Sequence, residues 1–325
     1  MPLKNNNQHI ILVSGASGIV GYGILKSLRQ FNYKLIGTTI YDESPANCFA
    51  DVVEKAPLTT EESYLPWLIS VIEKYHVDMI IPAIESDVYA WNNNRYEIEK
   101  RGVIVLLNNF ELIEFCKDKW LFYKKLKKEG FQHCIQSSIN LDADQFTVPF
   151  ILKPRCGYGS KGIVKIETRE NYELYKSKIG SDLFIQEYVG NDNEEYTISG
   201  FFDKESNLKA HIVMKRKLSK EGFTEIAEVV FKRDIVSIII ELAAIFKPVG
   251  PTNFQFRKDN GNWKLLEINP RISSSTSIRS AFGYNEAKMC VEYFLEGKEV
   301  EQPKIKTGKA IRYVEDFIVY DSNYI

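Results

Sequence analysis

Asn253-Phe254-Gln255-Phe256 and Leu265-Leu266-Glu267-Ile268-Asn269 flank Asp259-Asn260-Gly261-Asn262, and how this stretch folds decides the rest. Asn-Gly between two apolar runs is a strong β-hairpin signal. A hairpin centred on that turn predicts Gln255 directly opposite Glu267. Asn269, two residues on, shares the face of Glu267, because side chains alternate with period two. Phe254, Phe256, Leu266 and Ile268 are expected on the opposite, buried face. One surface then offers an amide, a carboxylate and a second amide, with Arg271 just beyond. That oxygen set suits a hard cation. Magnesium takes one or two carboxylates, keeps several waters and draws further oxygens from substrate phosphates. The polar run at 273–277 argues against a merely solvated hairpin face.

Lys153-Pro154-Arg155-Cys156-Gly157-Tyr158-Gly159-Ser160-Lys161-Gly162 lies between two strand-like segments. Lys153 offers a point charge, and the glycines let backbone amides close over phosphates. No Gly-Lys-Ser/Thr leads into a helix, so this is not a P-loop, and a polar hairpin is the plain alternative. Phe184-Ile185-Gln186-Glu187-Tyr188-Val189 is an extended segment whose backbone edge could hold adenine, Glu187 accepting from the amino group. Glu195, in Glu194-Glu195-Tyr196-Thr197, could bind ribose hydroxyls. Near the N-terminus, Ser14-Gly15-Ala16-Ser17-Gly18-Ile19-Val20-Gly21 follows a strand and opens a helix, a setting that favours an anion. Asp42 stands where a dinucleotide site keeps its ribose acid. The same glycines also fit a tight strand–helix turn that binds no nucleotide.

The 325 residues include 42 basic and 43 acidic ones, so no global field gathers nucleic acid or an anionic membrane. Five scattered cysteines and four distant histidines show neither a disulfide framework nor zinc spacing, which fits a reducing compartment. The longest apolar stretch, 235–246, is interrupted by Glu241 and falls far short of the ~20 residues a membrane span needs. With a polar N-terminus and no signal segment, a cytoplasmic location is expected.

Apolar runs at 9–13, 34–40, 79–83 and 103–107 alternate with helical patterns at 21–30 and 64–75. They predict a doubly covered parallel sheet over residues 1–108. One helix over 111–129 serves as a connector spanning 109–130. Strand-rich segments follow, with helices at 171–179, 235–246 and 286–295, and predict two α+β lobes, 131–187 and 188–325.

Taken in order, these pieces resemble the ATP-grasp superfamily, most closely the ATP-binding half of the carbamoyl-phosphate synthase large chain and related single-grasp carboxylate–amine ligases. Asn253–Gln255 with Glu267-Ile268-Asn269-Pro270-Arg271 carries the resemblance, Gln255 standing where many relatives have an acid. It implies an α/β plus α+β architecture. A Rossmann-like pre-ATP-grasp domain, which usually binds no NAD, precedes two α+β lobes that clasp ATP. It puts Lys119 and Lys153 on the phosphates under the loop of Gly157, Gly159, Ser160 and Gly162. Glu187, Tyr188 and Val189 go to adenine and Glu195 to ribose. Gln255, Glu267 and Asn269 go to magnesium, with manganese an alternative, and Arg271, with Lys153, to the transferring phosphoryl group. The implied reaction forms an acyl phosphate from ATP and a small carboxylate, which an amine then captures.

The chain has length for one such half and no glutaminase signature. Ser273-Ser274-Ser275 replaces a second arginine, so an organic carboxylate is expected in place of bicarbonate. Lys215, Arg216 and Arg279 are candidates to bind it, and Glu85 could touch substrate across the cleft. An NAD(P)-dependent oxidoreductase and a catalytically decayed ATP-binding protein are the competing readings. Small-molecule partners are expected, and exposed apolar surface on the first domain leaves a homodimer open.

Overall fold

The computed structural model describes residues 8–141, 143–157, 161–219 and 222–318. Gly159 and Ser160 of the expected phosphate loop lie outside the described residues.

The N-terminal third forms a parallel sheet of β1 (His9–Val13), β2 (Tyr33–Thr39), β3 (Val52–Lys55), β4 (Met79–Ile81) and β5 (Ile104–Val105), in the order β3-β2-β1-β4-β5. β1 is apolar from Ile10 onward because both faces are covered: Ile11 and Val13 enter one core, Leu12 another. The Gly-rich turn after β1 uses its glycines for packing. A Cβ on Gly21 would sit 2.3 Å from the Gly15 carbonyl oxygen, and one on Gly23 would sit 3.0 Å from Thr276 of the C-terminal lobe. Asp42, the expected ribose acid, is exposed and paired with Lys55 at 2.6 Å.

The connector is two helices, Phe110–Lys117 and Lys119–Lys128, where the apolar spacing predicts one. Asp118 makes the break: its backbone is extended and its carboxylate accepts from the Trp120 and Leu121 amides, the N-cap role in which aspartate excels. The break aims Lys119, the first residue of the second helix, into the cleft.

Beyond it, β6 (Ser137–Ser138), β7 (Phe150–Pro154), β8 (Val164–Ile166) and β9 (Leu183–Glu187) form an antiparallel sheet in the order β6-β9-β7-β8. Alternation divides its faces. Phe150, Leu152 and Ile185 fill a core, while Ile151, Lys153, Phe184 and Gln186 face the cleft.

The second antiparallel sheet consists of β10 (Glu195–Phe202), β11 (Leu208–Leu218), β12 (Thr224–Val229), β13 (Gly250–Asp259), β14 (Asn262–Asn269) and β15 (Lys309–Ile311), in the order β14-β13-β10-β11-β12-β15. One face packs Ile198, Phe254, Phe256 and Leu265 against the helix Arg233–Phe246. Its other face meets the N-terminal domain at one end and the cleft at the other.

The β13–β14 hairpin carries a bulge. Asp259 pairs with Asn262, and the ladder runs evenly to Phe256 opposite Leu265, then slips so that Gln255 pairs with Glu267. Leu266 is the extra residue. Leu265, not the expected Leu266, therefore joins the core, and Leu266 lines the cleft.

Among the described residues, no helix is long and apolar enough to cross a membrane.

Candidate active site

Two adjoining cavities, about 310 and 190 Å³, lie between the antiparallel sheets and share Lys119, Lys153, Gln255 and Glu267 in their walls. Strand order explains why these residues meet. β13 presents Asn253, Gln255 and Arg257 on one face, and β10 sets Glu195 and Thr197 opposite Arg257 and Gln255. β11 adds Arg216 opposite Glu195.

Lys153 is 7% exposed, and its Nζ donates to the Leu266 carbonyl at 3.3 Å. Burial depresses its pKa, assisted by the nearby Lys119 and Arg257 cations; Glu267 and Glu195 oppose the shift. Across the cleft, burial would raise the Glu267 carboxyl, but Lys153, a hydrogen bond from Asn269, Lys119 and Arg216 outweigh it and hold the group below its ordinary value. Glu267 thus stays an anion facing cations. Asn269 Nδ2 donates to Glu267 Oε1 at 3.0 Å. Lys119 Nζ reaches the Gly157 carbonyl at 2.5 Å, tying the helix start to the Gly-rich loop. Asp118 and Arg155 pair at 2.5 Å and brace the same junction, a contact the sequence reading missed.

The smaller cavity is walled by Glu187, Tyr188 and Val189, where adenine is expected. Lys165 covers the Tyr188 ring at 5.0 Å. Glu195 also lines this cavity, but its oxygens are occupied: Arg216 donates to Oε1 at 2.8 and 3.1 Å, and Arg257 to Oε2 at 2.9 and 3.1 Å. Its role in the structure is to neutralise two arginines, in place of the ribose contact expected of it. Arg257 escaped the sequence reading, although its place two residues from Gln255 on one strand was the available signal.

The larger cavity runs on to Arg271, Glu85, Tyr89 and Ser273. Arg271 and Glu85 form an ion pair across the domain boundary, 14% and 19% exposed. Burial would lower the Arg271 pKa, but Glu85 more than offsets it and keeps the guanidinium charged. Cys116 lines the cavity too; burial pushes its thiol up, so it supplies no thiolate.

The expected carboxylate ligands fare unequally. Arg216 faces the cleft but is engaged with Glu195 and, at 2.6 Å, with Gln255 Oε1. Lys215 lies on the opposite face of β11 by alternation and pairs with Glu194 at 2.6 Å. Arg279 is fully buried, bonded to Glu286, Thr197 and Asn253, and lines neither cavity. These two belong to the architecture, not to a substrate surface.

Glu267 is an ionised oxygen donor, and Asn269 presents its oxygen after a half-turn of the amide. Gln255 keeps one carbonyl lone pair beside the one that Arg216 engages. Glu267 and Asn269 fit a hard cation sharing oxygens with a phosphate, with Gln255 beside them as a neutral donor.

Two family descriptions match this chain: "ATP-grasp in the biosynthetic pathway with Ter operon" over residues 180–317 and "PylC-like, N-terminal domain" over residues 11–106. The carbamoyl phosphate synthase large chain of Thermotoga petrophila is 24% identical, the alignment covering 98% of this chain and 32% of that one. The chain thus spans about a third of the length of the curated relatives it matches. Among solved structures, N5-carboxyaminoimidazole synthetase from Staphylococcus aureus, complexed with ADP, superposes with a TM-score of 0.72 at 17% identity, covering 93% of this chain and 81% of that one. L-amino acid ligase from Bacillus licheniformis gives 0.67 at 15% identity, covering 88% and 74%.

Proposed function

We propose that this chain is an ATP-grasp enzyme, an ATP- and magnesium-dependent ligase that activates a small organic carboxylate and joins it to an amine. One observation carries the reading. Two cations, Lys119 from the connector and Lys153 from one lobe, and the ionised Glu267 with Asn269 from the other lobe line the same cleft. Such a pairing suits a triphosphate shared between lysines and a metal.

The nucleotide lies along the smaller cavity, its base against residues 187–189 and its phosphates toward Lys153 and Lys119. Lys153 neutralises charge on the transferring group and, through the Leu266 carbonyl, is fixed to the opposite lobe. Arg271, expected from the resemblance at the transferring phosphoryl group, sits in the larger cavity beside Glu85, and there it orients the substrate carboxylate for in-line attack on the γ-phosphorus. Magnesium, when held by Glu267, Asn269 and Gln255, supplies further neutralisation of the phosphate oxygens. The buried walls keep water from the acyl phosphate until the amine arrives.

Thermal unfolding tests the nucleotide assignment. A non-hydrolysable ATP analogue with magnesium should stabilise the chain by about 2.7 kcal/mol at a hundred times its dissociation constant, and NAD should not. Stabilisation by NAD alone would instead favour the oxidoreductase reading. ADP and phosphate release across a panel of carboxylates and amines tests turnover; binding without any turnover favours the decayed protein.

A further inference from the structure

We infer, resting on the ligase reading, that Glu85 is the receiving site for the amine, made available when the substrate carboxylate takes Arg271. Among the described residues, the charged groups lining the larger cavity are Lys119, Lys153, Arg216 and Arg271 against Glu85 and Glu267. Glu267 belongs to the metal set. Glu85 is then the one acid left over among the described residues of this wall, in a cleft otherwise suited to a nucleotide and a carboxylate, and neither of those anions calls for it.

Its place explains its use. Glu85 starts the helix Glu85–Asn93 of the N-terminal domain and meets Arg271 across the cleft. Arg271 gives one arm to Glu85 and another to the Ile272 carbonyl at 2.9 Å, and its buried Nε has no partner among the described residues. A substrate carboxylate that takes the guanidinium leaves Glu85 a largely buried anion without its cation. An ammonium group restores the balance. Occupancy is therefore ordered: carboxylate first, amine second. Val20, Val88, Tyr89 and Phe223 line the same cavity, so the amine is a primary amine on an uncharged, largely apolar body.

The transfer balances. The ammonium gives one proton to Glu85, and its freed lone pair attacks the acyl carbon. The C–N bond forms, the bond from that carbon to the phosphate oxygen breaks, and the phosphate leaves with the electron pair. The remaining surplus proton on nitrogen passes to the phosphate.

Hydroxylamine, uncharged near neutral pH, separates this role from activation of the carboxylate. The full-length chain is assayed with ATP, magnesium, a panel of carboxylates, and either hydroxylamine, read as hydroxamate, or apolar, cationic and anionic primary amines. Glu85→Gln should lower amine-dependent turnover at least tenfold more than hydroxamate formation, and lower the KM of the carboxylate because Arg271 is no longer shared. Raising the pH toward the pKa of the amine should recover part of the loss, and Glu85→Asp should retain the preference for amines. Equal losses with hydroxylamine and amine would overturn the inference, leaving Glu85 a support for Arg271. So would a wild-type chain that makes hydroxamate yet takes only anionic amines or none. Absence of hydroxamate from every carboxylate is a different failure, which removes the ligase reading and the amine site with it.

Discussion

Glu195 offers the sharpest test of how the nucleotide cleft is held together. Its side chain is 4% exposed, and the carboxylate accepts four hydrogen bonds, two from Arg216 and two from Arg257. The side chains of those arginines are 4% and 18% exposed. Removing the shared anion leaves two largely buried guanidiniums facing each other without a counter-ion. Breaking a buried pair costs about 3–5 kcal/mol, and two bidentate partners put Glu195→Ala at the upper end of that range. At about 1.4 kcal/mol per decade, the folding equilibrium shifts by a factor of several hundred to several thousand. Urea unfolding followed by tryptophan fluorescence reads it well, because Trp263 packs edge-on to Tyr196, the next residue on β10, at 4.8 Å. Glu195→Gln, which keeps the shape but not the charge, should also tighten triphosphate analogues relative to adenosine, since a cation is uncovered beside the phosphates. A loss below about 1 kcal/mol, the range of an exposed pair, would refute the argument. Selective weakening of adenosine at unchanged stability would return Glu195 to the ribose.

Glu267→Ala should abolish the magnesium dependence of ATP-analogue binding while leaving the urea midpoint near that of the wild type; unchanged affinity with and without magnesium would remove Glu267 from the metal set. For Lys153 the sign follows from burial. Its folded pKa lies below the ordinary lysine value of about 10.4, so between the two values the unfolded chain binds more protons and stability rises with pH. A triphosphate restores the charge, so nucleotide binding takes up a proton in that window and weakens as pH rises through the folded pKa. Calorimetric titration in buffers of different ionisation enthalpy should detect the uptake, and Lys153→Met should lack it. Gly21→Ala should destabilise by about 1–3 kcal/mol, because its Cβ would press on the Gly15 carbonyl oxygen at 2.3 Å; a thermal midpoint equal to the wild type would show that the turn yields.

The parallel domain was legible because its strands are apolar on both faces, and β1 falls at the expected residues. β3 and β6 escaped, being too short to show a period, with four and two residues. The connector misled because Leu112, Ile113, Leu121, Phe122 and Leu126 keep helical spacing across the break. Apolar periodicity is blind to a one-residue interruption, and the signal was Asp118 itself, a capping residue. At the site, Lys119, Lys153, Gln255, Glu267 and Arg271, all singled out from the sequence, line one cavity. The substrate arginines and lysine were harder, because one sequence does not say whether a charge faces another charge. Arg279 looks like any surface arginine until Glu286, seven residues away, turns out to be buried with it.

The bulge at Leu266 shows why the hairpin could be read correctly in its pairing and yet wrongly in its core. An Asn260-Gly261 turn with an unbroken ladder puts Trp263, Leu265, Glu267 and Asn269 on one face, the face that packs on the helix Arg233–Phe246. Both polar side chains would then enter an apolar core, where an unpaired carboxylate is costly. One inserted residue reverses the alternation: Ile268 enters the core, and Glu267 and Asn269 turn to the cleft. The broken phase of Trp263, Leu265 and Ile268, spaced two and then three, records this in the sequence. The residue that breaks the ladder is also used, because Leu266, without a partner in the strand register, offers its carbonyl to Lys153. A single irregularity thus turns the acid toward the cleft and ties the lysine of the opposite lobe to the same strand, so the two charges that the proposed triphosphate and metal would need are positioned by one local feature.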